Sequence, residues 1–421
     1  MKRITQPRKF LEILFNAAVN AADPTLIIQP HIPDPPKGKT VVVGVGKAAA
    51  KLALALENNF KGPLTGVVVT PYGHGTKCQK IQVIEASHPL PDKNGMLASK
   101  TIFAAVKSLT PDDLVIALAC GGGSALLPAP PEKMTLEDEI TLNKILLSSG
   151  LPISKMNLIR KHVSEIKGGK LALACYPAKV ITLVLSDVPG DELHQVASGP
   201  TLADDLGRKD ALAEVHLHRL VMPNNIISHL NSSSADCPLP EDLTRLGHEV
   251  HMIGSAHQSL IAAKMKAEEL GLKAVILSDS IEGEARDIGN MHAAIVNQVK
   301  RYAHPFENPV VLLSGGETTV TLSNSLGRGG RNTEFLLSFL LGLQGSAYAL
   351  AADTDGIDGS EKNAGAYCDN KTLQKILCKD LNPRELLMSH NAYLAFEAAG
   401  SLFFTGSTGT NVNDFRAILI P

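Results

Sequence analysis

Residues Leu114 to Cys120 (LVIALAC) form an unbroken apolar run that ends on Gly121-Gly122-Gly123-Ser124. An apolar run without alternation is how a strand buried on both faces reads, and such strands belong to parallel sheets. A strand that empties into three glycines and a serine makes a loop whose backbone N–H groups can converge on an anion. Glycine suits that loop because a side chain would hold backbone and phosphate apart. A second glycine-rich segment, Gly327-Arg328-Gly329-Gly330-Arg331-Asn332, precedes an apolar helix far along the chain. Two such loops, one carrying arginines, indicate a protein that handles phosphate.

The strand signature recurs. Thr40–Val45, 66–70, Ile81–Ala86 and 180–186 read as further strands, with helical patterns between most of them. Strands and helices in alternation predict an α/β fold around a doubly wound parallel sheet. An amphipathic helix is expected over 10–22, followed by a proline-rich connector over 29–37. The Ser/Pro-rich stretch 231–240 reads as a linker. After it the alternation restarts with strands at Glu249–Gly254, 274–277, 309–313 and 347–352. With 421 residues, two domains are expected, 1–238 and 239–421, the second also α/β.

Composition narrows the partners. The formal net charge is −2, aromatic content is 4% and tryptophan is absent, which excludes a basic, ring-rich nucleic-acid platform. No apolar run reaches the ~20 residues that span a membrane. The N-terminus lacks a secretion pattern. Six cysteines without CxxC spacing argue against structural zinc or a disulfide framework, so a cytoplasmic location is expected; the sequence does not choose between monomer and homodimer.

Candidate site residues fall in several segments. Gly44-Val45-Gly46-Lys47-Ala48-Ala49 resembles the dinucleotide fingerprint, which requires an acidic residue at the end of the next strand to hold a ribose. Here strand 66–70 runs into Pro71-Tyr72, so NAD(P) is disfavoured. Lys47 reads as first-turn helix, where a cation opposes the macrodipole at a cost of roughly 0.3–1 kcal/mol. A bound anion between them would resolve the conflict; the alternative is a solvated lysine.

Segment 159–169 gathers Arg160, Lys161, His162 and Lys167 before a double glycine. Lys161 and Lys167 are candidate phosphate contacts; the alternative is a solvated face. Asp187 closes strand 180–186 and is a candidate metal ligand or base, with Asp191 a second ligand, against an ordinary turn role. Ser198, in Ser198-Gly199-Pro200-Thr201, is a candidate substrate contact.

Arg331 again places a cation at a helix start, with a fork suited to phosphate or carboxylate. Arg328, Asn332 and Glu317 are candidate substrate contacts beside it. Asp353-Thr354-Asp355-Gly356-Ile357-Asp358 fails the EF-hand pattern, because position twelve is Ala364. Asp353 and Asp355 remain candidate Mg²⁺ ligands. Segment 405–414 either lines a site or closes the last sheet. A P-loop motif and the protein-kinase signature are both missing.

Read as ordered blocks, the chain resembles the class II glycerate kinases, the glycerate 2-kinases with a C-terminal MOFRL domain. The markers are GVGKAA at 44–49, SHPLPD at 87–92, CGGGSALL at 120–127, KHVSEIKGGKLA at 161–172, SDVPGDELHQVASGPT at 186–201, SGGETTVT at 314–321, GRGGRNTE at 327–334, DTDGIDG at 353–359 and GTNVND at 409–414. The resemblance implies ATP-dependent phosphorylation of D-glycerate at its 2-hydroxyl. It also implies a Rossmann-like N-terminal domain, a MOFRL-type C-terminal domain and an active site in the cleft between them. It carries the family's cleft lysine and arginine onto Lys47 and Arg331. ATP phosphates are then expected on Gly121, Gly122, Gly123 and Ser124, with Mg²⁺ bridging them. Two rival readings are an NAD(P)-linked hydroxypyruvate reductase and a non-catalytic protein that binds a sugar acid or nucleotide.

Overall fold

The computed structural model describes residues 4–188, 190–322 and 327–421, so Pro189 of the 186–201 block lies outside the described residues. The chain divides into two units: Pro24–Gly254, and Met1–Asp23 joined to Ser255–Pro421.

The first unit holds β1 (Thr40–Val45), β2 (Leu64–Pro71), β3 (Ile81–Ala86), β4 (Leu114–Cys120), β5 (Lys179–Leu185) and β6 (Glu249–Gly254). All pair in parallel, in the order β3-β2-β1-β4-β5-β6. This is the Rossmann order, with its topological switch point between β1 and β4. Every residue of β1 and β4 is buried, as their unbroken apolar runs required. Val41, Val43 and Val45 pack with Val67, Ala98, Ile102 and Val115 in one core layer. Burying each valine or isoleucine stabilises by about 1.5–3 kcal/mol.

The division of the chain differs from the expected boundary at 238. β6 pairs with β5, so the first unit runs on to Gly254. The stretch read as a linker holds a 3-10 turn, Ser233–Ala235, and leads into the helix Pro240–Arg245, inside that unit. The N-terminal helix, Pro7–Asn20, belongs to the other unit. Its Phe10, Leu11, Leu14 and Phe15 share a core with Leu350, Phe403 and Phe415. Phe15 meets the rings of Phe403 and Phe415 edge-on at 5.1 and 5.7 Å.

The second unit holds β7 (Lys273–Glu284), β8 (Val310–Thr319), β9 (Tyr348–Asp353), β10 (Gly365–Cys368), β11 (Leu402–Phe403) and β12 (Asp414–Ile420), in the order β11-β10-β9-β12-β8-β7. Only β7 and β8 pair in parallel. The α/β layering holds, but the sheet is mixed because β12 returns between β8 and β9 antiparallel to both. Asp414 and Arg416 interrupt the apolar pattern of β12, which hid a fully buried central strand. That insertion places Asp414 opposite Asp353 and Arg416 opposite Ser314.

All six cysteines are unpaired. No single helix among the described residues is long and apolar enough to cross a membrane.

Candidate active site

The loops after β1 and β4 meet at the switch point, where Lys47 N donates to Gly121 O at 2.9 Å. The helix Ala49–Asn59 starts later than the sequence suggested, with Ala48 as its N-cap, so half-buried Lys47 precedes the helix. A Cβ on Gly121 would lie 1.7 Å from Asp187 Oδ2, and one on Gly123 would lie 2.4 Å from the Ala197 methyl. Glycine is therefore obligatory at both positions, and Asp187 lies against the loop. The Lys47 chain crosses Gly122. Its Cγ and Cε come within 3.2 and 3.6 Å of where a Gly122 Cβ would sit, and His88 Nε2 within 3.7 Å of the same point. Among the described residues, no backbone carbonyl accepts from the N–H groups of Gly122, Gly123 and Ser124. His88 stands at the exposed rim. Desolvation, then the cationic neighbours Lys47, His74 and Arg160, take its pKa down to about 4, so the ring is neutral.

A chain of side-chain bonds braces the loop from behind. Ser124 Oγ and Ser198 Oγ are 2.8 Å apart, and Ser198 donates to Asn157 Oδ1 at 3.0 Å. Arg160 NH1 donates to the same Oδ1 at 3.0 Å, and Arg160 Nε to Asn143 Oδ1 at 2.9 Å. Ala197 and Ser198 hold left-handed backbone, φ 53° and 59°, at a cost of about 1–3 kcal/mol each. The double glycine of segment 159–169 pins this turn: Gly168 N donates to Ser198 O at 3.1 Å and Gly169 N to Gly199 O at 2.8 Å.

Two expected phosphate contacts belong to the core instead. Lys161 is 1% exposed and pairs with Asp204 at 2.5 Å; Lys167 is 1% exposed and pairs with Glu139 at 2.9 Å. The helix Ile153–His162 turns its last basic residues, Lys161 among them, inward, and Lys167 is buried in the turn that follows; burial there demands partners. Asp191 occupies a left-handed turn, its N–H bonded to Val188 O at 3.0 Å.

In the second unit, Arg331 opens the helix Arg331–Gly342 inside a cage of carboxylates. Its Nε reaches Asp414, its NH1 Glu317 and its NH2 Asp353, each at 2.7 Å. The anion that the sequence required at this helix start is supplied by the protein itself. Burial works against the Arg331 charge, but Asp414, Asp353 and Glu317 outweigh it and hold the guanidinium well above its ordinary pKa. Buried Asp414 also pairs with Arg416. Asp353 is pushed well up, first by burial and then by Asp355 and Asp414 against the pull of Arg331.

The neighbours expected to touch substrate have other partners. Arg328 makes a two-pronged pair with Glu361, at 3.1 and 3.0 Å, and covers the Tyr393 ring at 4.5 Å. Asn332 is fully buried and donates to Asp414 at 2.9 Å. Asp355 accepts from Ile357 N at 2.9 Å within its own turn. Among the described residues, no group of three or more His, Cys, Asp or Glu could hold a metal ion, so Asp187, Asp191, Asp353 and Asp355 make no metal centre alone.

A DUF4147 model, a domain of unknown function, matches residues 10–231, and a MOFRL family model matches residues 310–414. The chain is 39% identical to the glycerate 2-kinase of Pyrococcus horikoshii over 96% of its own length and 92% of that protein's. The chain belongs to the MOFRL-type glycerate 2-kinase family. The crystal structure of a glycerate kinase from Thermotoga maritima superimposes on this glycerate 2-kinase relative with a TM-score of 0.87 at 34% identity, covering 98% of this chain and 99% of that one. An Agrobacterium vitis protein bearing a provisional hydroxypyruvate reductase name is 45% identical over 98% of this chain and 94% of its own.

Sequence reasoning missed two residues at the glycerate 2-kinase loops. His88 stood only as part of the block SHPLPD. Arg160 lies in the basic segment, where Lys161 and Lys167 are the expected phosphate contacts. The helical period does not separate Arg160 from Lys161, since Asn157 lies three residues before one and four before the other.

Proposed function

We propose that this chain transfers the γ-phosphoryl group of ATP to the 2-hydroxyl of D-glycerate, giving 2-phosphoglycerate and ADP. One observation carries the reading: at a Rossmann switch point, the glycine loop Gly121–Ser124 lies beside Lys47, and among the described residues no backbone carbonyl accepts from the N–H groups of Gly122, Gly123 and Ser124. Those donors suit a polyphosphate, and Lys47 supplies positive charge where the transferring group becomes anionic.

The hydroxyl oxygen attacks the γ-phosphorus, the bond to the β,γ-bridging oxygen breaks, and ADP leaves. His88 keeps a neutral nitrogen beside Lys47 to accept the hydroxyl proton. Bound phosphates would offset the pull of Lys47, His74 and Arg160, the smaller causes of the low His88 pKa after desolvation. Asp187, set against Gly121, is the carboxylate placed to hold a Mg²⁺ that arrives with the nucleotide; the ion would neutralise phosphate charge.

Incubation with ATP, Mg²⁺ and D-glycerate, followed by phosphorus NMR, identifies the product. Coupling to enolase without phosphoglycerate mutase is expected to give signal; signal only after adding mutase would move the phosphate to the 3-position. The 45% relative favours a hydroxypyruvate reductase as the second reading. Against it, β2 ends on Pro71 with no carboxylate for a ribose. NADH consumption with hydroxypyruvate would reverse this choice.

A further inference from the structure

Of the lysines and arginines more than nine-tenths buried among the described residues, three have a carboxylate partner: Lys161 with Asp204, Lys167 with Glu139, and Arg416 with Asp414. Arg160, 7% exposed, is the exception. A guanidinium has five N–H donors, and here Nε and NH1 bond to the amide oxygens of Asn143 and Asn157, which are neutral. Among the described residues no carboxylate forms an ion pair with it. Glu139 acts on it through space, but its charge is already matched by Lys167 at 2.9 Å. Burial brings the guanidinium down to about 10 and Glu139 only partly opposes this, as for a charge short of a counter-ion. A buried cation left in that state is costly, and proteins retain one where a ligand supplies the missing charge.

The position of Arg160 relates it to the glycine loop. Asn157 Oδ1 accepts from both Arg160 and Ser198, and Ser198 touches Ser124 of the loop. His88, at the rim beside Lys47, feels the Arg160 charge. We propose that Arg160, with Ser124 and Ser198, forms a seat for a substrate oxyanion. The planar fork of arginine matches a carboxylate or a phosphate edge. The proposal rests on the phosphoryl-transfer reading for its two sources, the glycerate carboxylate and a nucleotide phosphate.

The test uses the full chain with Arg160→Gln and Arg160→Lys. Melting is followed with and without D-glycerate, ATP or inorganic phosphate, and KM is measured for each substrate. Arg160→Gln is expected to melt no lower than wild type without ligand, because it removes an unmatched charge. It is expected to lose the ligand-induced rise in melting temperature and about 10- to 100-fold in kcat/KM, the range for one charge-assisted contact. A rise in KM confined to glycerate assigns the carboxylate, and one confined to ATP assigns the phosphate. Arg160→Lys keeps the charge without the fork and is expected to fold normally with weakened saturation. If Arg160→Gln melts lower while both variants keep wild-type KM and ligand shifts, Arg160 is an internal strut and the seat does not exist. A wild type without kinase activity would sink the phosphoryl-transfer reading; the phosphate shift of wild type against Arg160→Gln would still decide the seat.

Discussion

Arg160 and Arg331 make opposite use of the same side chain. Arg331 opens a helix after a glycine loop and is closed in by Asp414, Glu317 and Asp353. Arg160 lies deeper, behind another glycine loop, and among the described residues its Nε and NH1 bond to amide oxygens. In sequence both were cations beside glycines. The difference comes from β12, which brings Asp414 opposite Asp353 in the second unit, while the carboxylate near Arg160 is taken by Lys167. A cation beside a glycine loop therefore says that an anion is needed, and only the packing says whether the protein or a ligand supplies it.

The largest expected effect breaks the Arg331 side of this contrast. Arg331→Ala strands Asp353 in the interior and leaves Asp414 to Arg416, and is expected to cost roughly 3–5 kcal/mol, read by urea denaturation. An unchanged midpoint would mean the cage is not a stabilising unit. Lys161→Met, which strands buried Asp204, is expected to lose a similar amount, roughly 3–5 kcal/mol, with a normal KM for ATP. A raised KM for ATP at undiminished stability would return Lys161 to the phosphate site.

Next in size is Lys47→Ala. Turnover is expected to fall about 10²–10³-fold while the melting temperature holds, since Lys47 is half-buried at the loop and not a core strut. Near-normal turnover would remove Lys47 from the chemistry.

The smallest effect is a pH dependence in the second unit. His292 is 1% exposed, bonded to Ile288 O and to Ser314 Oγ. Burial first, then Arg416, takes it down to about 4, against a favourable contribution from Ile288. Its folded pKa lies below its unfolded value of 6.5, so the unfolded state binds the extra proton between those values. Stability is then full above pH 6.5 and falls as pH drops toward 4, by roughly 3 kcal/mol at most from this group. Denaturation midpoints across that range, with His292→Gln as control, would read it. A slope unchanged in the variant would mean that other groups carry the acid sensitivity.

Much of the frame follows from sequence alone. Continuous apolar runs at Thr40–Val45 and Leu114–Cys120 mean strands buried on both faces, and glycines at their ends mean close approach. Both are local consequences of side-chain type, and the switch-point loops follow from them. Strand β12 was beyond that reading, because a buried Asp414 and Arg416 look polar until each is seen to neutralise the other. The amphipathic pattern of the N-terminal helix is legible, yet its apolar face says nothing about which sheet will cover it. Among Arg160, Lys161 and Lys167 the sequence offered three equal charges. Which of them is matched by a carboxylate depends on residues 28 and 43 positions away in the chain, Glu139 and Asp204, and on the absence of one at Arg160. Charge pairing is decided by distance in space at low dielectric, so it belongs to the tertiary structure.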